Sequence, residues 1–310
     1  MNSIKAVVSG ALVAMTGAWI GAASQQTPPA TEVYLAPIVS AGGSSRLASW
    51  INISNDADYD NQPSFLPDSS AVLFTSRRDG TQTDIYRYDI AGKSLTQVTR
   101  TPESEYSPTM TPDRRTFSVI RVEADNAQRL WRFDLDGANP RVILESVKPV
   151  GYHAWIDDTR LALFVLGSPA TLQIADAKTG LATIAATGIG RSVLVRPGRG
   201  TVSYLATGET PRVLKEFDVK TGASATITMP VPGSQDAAWT PEGMLLMANG
   251  MTIHSWTPGS TTWANFATLS DVDKRGESQP PPAVTSITRM AVSPDGRWMA
   301  FVAEPVARTP

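Results

Sequence analysis

One short pattern returns along the chain at nearly even spacing, and it limits the possible folds more than any other feature. Its fullest copy is SPDGRWMAF, Ser293 to Phe301. Pro presets φ, Asp closes the turn through its own side chain and Gly accepts φ > 0, so each copy reads as a tight connection between two strands. Aligned on the apolar residue two places before the proline, the copies are FLPDSS at Phe65, MTPDRR at Met110, WIDDTR at Trp155, VRPGRG at Val195, WTPEGM at Trp239 and VSPDGR at Val292. The proline positions are separated by 45, 45, 40, 44 and 53 residues, with Asp157 standing at the third.

A second register tests the same period independently. It reads IYRYD from Ile85, LWRFD from Leu130, LQIAD from Leu172, LKEFD from Leu214 and IHSWT from Ile253. Its sixth member is found not after the last turn but near the N-terminus, as VYLAP from Val33. A period of about 40–45 residues carrying several short strands is the mark of a β-propeller with one four-stranded blade per repeat. The expected fold is therefore all-β, a six-bladed propeller closed by N-terminal strands that complete the last blade. TEVYLAPI and LASWINIS would supply the outer pair of that blade, SITRMAV and WMAFVAE the inner pair, leaving no open sheet between the chain ends.

Six blades need roughly 270 residues. The 310-residue chain then divides into residues 1–24, read as a signal peptide, and 25–310, a single propeller domain. Met1 to Lys5 is a short basic start, Ala6 to Ala22 is apolar with small residues, and Ala23 or Ser24 offers a cleavage edge. The apolar run is short and interrupted for a membrane span, so membrane contact is expected only through this segment if it is uncleaved. Cysteine is absent, which rules out disulfides and a lipid-modified cysteine alike. The expected location is periplasmic or secreted.

The run PSFLPDSSAVLFTSRRDGTQTDIYRYDIAGKSLTQVT, Pro63 to Thr99, resembles the repeat of TolB-like six-bladed propellers. In that repeat an aromatic, Pro-Asp-Gly, an apolar strand, Phe-x-Ser-x-Arg, Ile-Tyr and a late Leu-Thr follow in order. The resemblance is to the propeller and not to the α/β domain that precedes it in TolB. It implies a fold, and fold alone does not imply function. Related propellers gate serine peptidases, but the chain has no Gly-x-Ser-x-Gly elbow.

Catalytic and cofactor signals are sparse. His153 and His254 are the only histidines, too few for the histidine metal sets of lyases with similar blades, so no metal or other cofactor is expected. DADYDN, Asp56 to Asn61, lacks the Gly and closing Glu of a Ca²⁺ loop and reads as a connector. Lys and Arg number 27 against 29 Asp and Glu, with neither sign in a block, which argues against nucleic acid. The one small basic cluster, SRRDG at Ser76 to Gly80, reads as a solvated loop tip.

Binding remains, and geometry says where. First strands of propeller blades line the central channel, so residues shortly before each turn should meet at its mouth. These are Asp60, Glu105, Tyr106, Tyr152, His153, Arg191, Asp236 and Arg289, with His153 the member whose charge could switch near neutral pH. The insertion Ser270 to Ala283 should overhang the same face. The expected function is a non-catalytic module, monomeric, that binds an envelope protein, a peptide or another ligand. The alternative is a propeller enzyme, a polysaccharide lyase or lactonase-like hydrolase, working in the channel.

Overall fold

The computed structural model describes residues 29–41, 44–78, 80, 82–271 and 281–306. The signal-like segment and most of the Ser270 to Ala283 insertion lie outside them. Six antiparallel sheets follow one another around a ring, five of them built from consecutive strands. Blade one runs Asp60–Phe65, Ala71–Ser76, Asp84–Asp89 and Ser94–Gln97, and blades two to five repeat this plan. Blade six takes its inner strands, Val284–Val292 and Trp298–Pro305, from the C-terminal region. Its third strand is Glu32–Ala41, and Ser44–Leu47 and Ile51–Asn52 pair along the outer edge of that strand. The N-terminal segment thus closes the ring, as the displaced register at Val33 implies.

Alternation along the closing strand explains why it holds two blades at once, since successive side chains of a strand point to opposite faces. Val33 and Leu35 enter an apolar cluster with Phe65, Val72 and Phe74 of blade one. Tyr34 and Ala36 enter another with Leu246, Ile253 and Phe266 of blade five. Tyr34 stacks on Phe301 at 5.3 Å between ring centres, and Trp50 meets the same ring edge-on at 5.9 Å.

Six such clusters fill the six gaps between blades, and each receives the apolar residue that precedes a turn. Phe65 and Trp239 are buried members. Met110, Trp155, Val195 and Val292 pack against their clusters but are only partly buried, less than their equivalence to Phe65 and Trp239 implies. The turn aspartates do structural work. Asp113 Oδ1 accepts from the amides of Arg115 and Thr116 at 2.8 and 3.1 Å, and Asp157 Oδ1 from those of Thr159 and Arg160 at 3.0 and 2.8 Å. At Asp295, hydrogen bonds from Ser293 and Arg297 outweigh partial burial and bring the carboxyl down to about 2.

SRRDG and DADYDN are not independent, as their sequence readings suppose. Arg77 pairs with Asp58 at 2.5 Å and Arg78 with Asp56 at 3.5 Å, so the basic cluster docks onto the acidic connector instead of standing in solvent. His254 lies on Thr252–Trp256, the third strand of blade five, away from the channel-lining strand. Among the described residues, no helix is long and apolar enough to cross a membrane.

Candidate functional site

The innermost strand is irregular in five of the six blades. Register shifts interrupt the pairing of first and second strands between Asn61 and Ser64, Tyr106 and Thr109, Val150 and Tyr152, Ile189 and Val193, and twice between Val284 and Arg289. Such bulges bend a strand and re-aim its side chains. Two of them carry residues at positive φ, Gln62 at 58° and Ser107 at 55°. They are held by a bond between blades, in which Gln62 Oε1 accepts from the Ser107 amide at 2.8 Å and from Thr75 Oγ1 at 2.9 Å.

One side chain from each blade reaches a common ring at the mouth. Blades one to six contribute Tyr59, Tyr106, Tyr152, Arg191, Asp236 and Arg289 in that order. The Tyr59 hydroxyl lies within electrostatic reach of Tyr106, Tyr152, Arg191 and Arg289, and burial followed by Tyr152 pushes its ionisation well above the ordinary range. Arg289 Nη2 donates to the Tyr152 hydroxyl at 3.1 Å, with its guanidinium 4.8 Å from the centre of that ring. Arg191 holds Asp236 through two donors, Nε at 3.0 Å and Nη2. The ring is therefore divided, with three tyrosines on one side and an Arg-Asp-Arg bar on the other.

Five of the eight residues expected at the mouth are in this ring; Asp60, Glu105 and His153 are not. Each is the chain neighbour of a ring tyrosine, and strand alternation sends it to the opposite face, between blades. Asp60, 0% exposed, sits near Arg78, Glu32 and Asp56. Glu105, also 0% exposed, lies 3.4 Å from Arg121 Nε. His153 borders the channel but meets Ser118 Oγ of blade two through Nε2 at 2.6 Å. Burial lowers its pKa to about 3, so it is neutral at physiological pH and is not the switch its position in the sequence suggests. Tyr59 is the member the sequence reading misses. It stands six residues before Phe65, whereas the other ring residues stand three or four before their anchors, because it lies just ahead of the strand Asp60–Phe65, where its backbone bridges to Thr31.

The buried acids have a measurable consequence. Burial raises both Asp60 and Glu105 to about 7, from ordinary values of 3.8 and 4.5, against the opposing effect of Arg78 and Arg121. Between those limits the folded chain holds a proton that the unfolded chain has released, so each acid makes stability fall as pH rises from about 4 to 7. His153 acts in the other sense, because only the unfolded chain binds its proton below the ordinary value of 6.5. Asp60→Asn leaves the histidine contribution unchanged. The variant should gain roughly 2–3 kcal/mol relative to the parent between pH 4.5 and 7.5. Urea denaturation at the two pH values checks this; an equal difference at both would show that Asp60 titrates normally.

Two cavities meet at the Arg-Asp-Arg bar. The channel, about 360 Å³, is lined by first-strand residues that include Tyr152, Arg191, Asp236 and Arg289. A lateral pocket of about 340 Å³ opens beside it between blades five and six and is lined by Ser234, Asn249 and Thr288 with the same Arg191, Asp236 and Arg289. Among the described residues, no group of three or more His, Cys, Asp or Glu is placed to hold a metal ion.

No protein-family model matches the chain, and no curated protein matches it in sequence. Solved structures do match in shape. A protein from Agrobacterium tumefaciens provisionally described as TolB superposes with a TM-score of 0.64 at 15% identity, covering 89% of this chain and 99% of that one. A gluconolactonase from Xanthomonas campestris gives 0.60 at 10% identity over 90% and 99% of the two chains. An oligogalacturonate lyase in complex with manganese gives 0.54 at 16% identity over 85% and 83%. At these identities the likeness is one of fold, a six-bladed propeller of TolB type that enzymes also use.

Proposed function

We propose that this TolB-like propeller is an exported, non-catalytic binding module of the cell envelope whose working surface is the channel mouth, and whose partner is a polypeptide. The observation that supports it is the ring of Tyr59, Tyr106, Tyr152, Arg191, Asp236 and Arg289, one residue from every blade. Tyrosine and arginine are the residue types that dominate protein recognition, because they offer large contact area together with hydrogen-bond donors. The envelope location rests on the signal-like first 24 residues.

The lyase and lactonase folds support a second reading, chemistry in the channel. It needs an available acid or base. The carboxylate in the ring, Asp236, is held by Arg191, and the His153 imidazole is buried and bonded to Ser118. The binding reading uses these groups as they stand.

A matched pair of variants tests the face. Arg191 and Arg289 are replaced by Ala in one protein, and Arg114 and Arg297, on the opposite turn face, in another. Both changes remove two positive charges, so only position differs. With the mature chain as bait in envelope extract, the mouth variant should lose the polypeptide that the parent retains and the turn variant should keep it. The reverse pattern, with both variants folded, would place the binding surface on the turn face.

A further inference from the structure

We infer that the Arg191–Asp236–Arg289 side of the ring receives a carboxylate carried by the bound polypeptide, either its C-terminus or an acidic side chain. The inference rests on the mouth being the working surface, and it adds the ligand chemistry.

Charge supplies the first argument. The bar contains two guanidinium groups and one carboxylate. Arg191 occupies Asp236 through two donors, whereas Arg289 Nη1 stands 3.9 Å from Asp236, beyond hydrogen-bond range. The nearby Arg77 is matched by Asp58. One guanidinium at the mouth is thus left in excess.

Unused donors supply the second. An arginine has five N–H groups. Among the described residues, Arg289 bonds only to the Tyr152 hydroxyl, and its Nε is buried without a partner. A largely buried cation with unmet donors is costly unless an anion completes it. Because Tyr152 accepts from Arg289, its own O–H is left to donate. The planar fork of arginine matches a carboxylate in shape, and one excess positive charge matches a monoanion better than a phosphate dianion.

Position supplies the third. Arg289 borders both cavities, so a carboxylate against it has room on either side. Ser234, Asn249 and Thr288 line the lateral pocket and carry no charge, which suits them to the amides of a peptide next to its carboxylate.

The test is calorimetric titration of the mature chain with N-acetyl-Ala-Ala, its C-terminal amide, N-acetyl-Ala-Glu-Ala-amide and inorganic phosphate. At least one carboxylate peptide should bind tenfold or more tighter than the neutral amide and tighter than phosphate; which of the two does so identifies the source. Arg289→Gln should reduce that affinity to the level of the amide, and Arg289→Lys, which keeps the charge but loses the fork, should fall between. Asp236→Asn removes the competing internal carboxylate and should tighten binding severalfold. Equal binding of acid and amide, no binding of either, preference for phosphate, or indifference to Arg289→Gln would each overturn the inference. If the bait variants still place the partner at the mouth, only the carboxylate has failed; if they place it on the turn face, the reading beneath it has failed as well.

Discussion

Deletion of residues 25–55 should leave the protein unfolded at room temperature, without a cooperative thermal transition. The segment carries the third strand of blade six and the outer strands beside it, so its loss uncovers the long edge of Trp298–Pro305. It also strips apolar side chains from two gaps between blades at once. Val33, Leu35 and Ile53 leave the gap toward blade one, and Tyr34, Leu47 and Trp50 the gap toward blade five. All six are buried, and burial of a large apolar side chain contributes about 1.5–3 kcal/mol. Their sum is on the order of 10 kcal/mol, comparable with the whole net stability of a typical domain, about 5–15 kcal/mol. The newly exposed edge would also favour aggregation. Circular dichroism with a thermal scan decides the matter, and a truncated chain that kept the parent's melting temperature would show that the ring does not need its closing strand.

Trp239→Ala should cost about 3–5 kcal/mol, the range for loss of a large core aromatic. Trp239 is 8% exposed and packs among Leu205, Leu214, Val231, Leu245, Met247 and Trp256 between blades four and five. Two further contacts are specific to it. Its Nε1 donates to Ser203 Oγ of blade four at 2.8 Å, and the Arg196 guanidinium lies 5.0 Å from the ring centre. Trp239→Phe keeps the aromatic bulk and loses the N–H, so it should cost only about 1–2 kcal/mol. Trp155 repeats the arrangement one blade pair earlier, donating to Ser118 Oγ at 2.9 Å, but it is only partly buried. Trp155→Ala should therefore cost less, about 1–3 kcal/mol. Urea denaturation of the three variants gives the comparison; a Trp239→Ala change below about 1 kcal/mol would mean that the gap between these blades relaxes around the loss.

Period, turn chemistry and ring closure are determined by the sequence itself. Each depends on interactions over a few residues, repeated: an apolar anchor, an aspartate that accepts its own turn amides, and two registers that keep the same spacing. VYLAP at Val33 belongs to the second register, and that alone places an N-terminal strand in blade six. The faces of the side chains in the innermost strands were decided elsewhere. An adjacent pair such as Tyr59 with Asp60, Tyr106 with Glu105, or Tyr152 with His153 looks equally suited to a channel. Alternation allows one member of each pair to face it, and the bulges shift the count by a residue in a way the chain does not announce. Tyr59, placed just ahead of the strand Asp60–Phe65, stands outside the spacing of its partners in sequence and beside them in space. The pairing of Arg77 and Arg78 with Asp58 and Asp56 likewise spans about 20 residues, and burial of Asp60, Glu105 and His153 depends on the neighbouring strands and blades. Local chemistry repeats and is legible one blade at a time, whereas orientation, burial and charge matching arise only when strands and blades pack against one another.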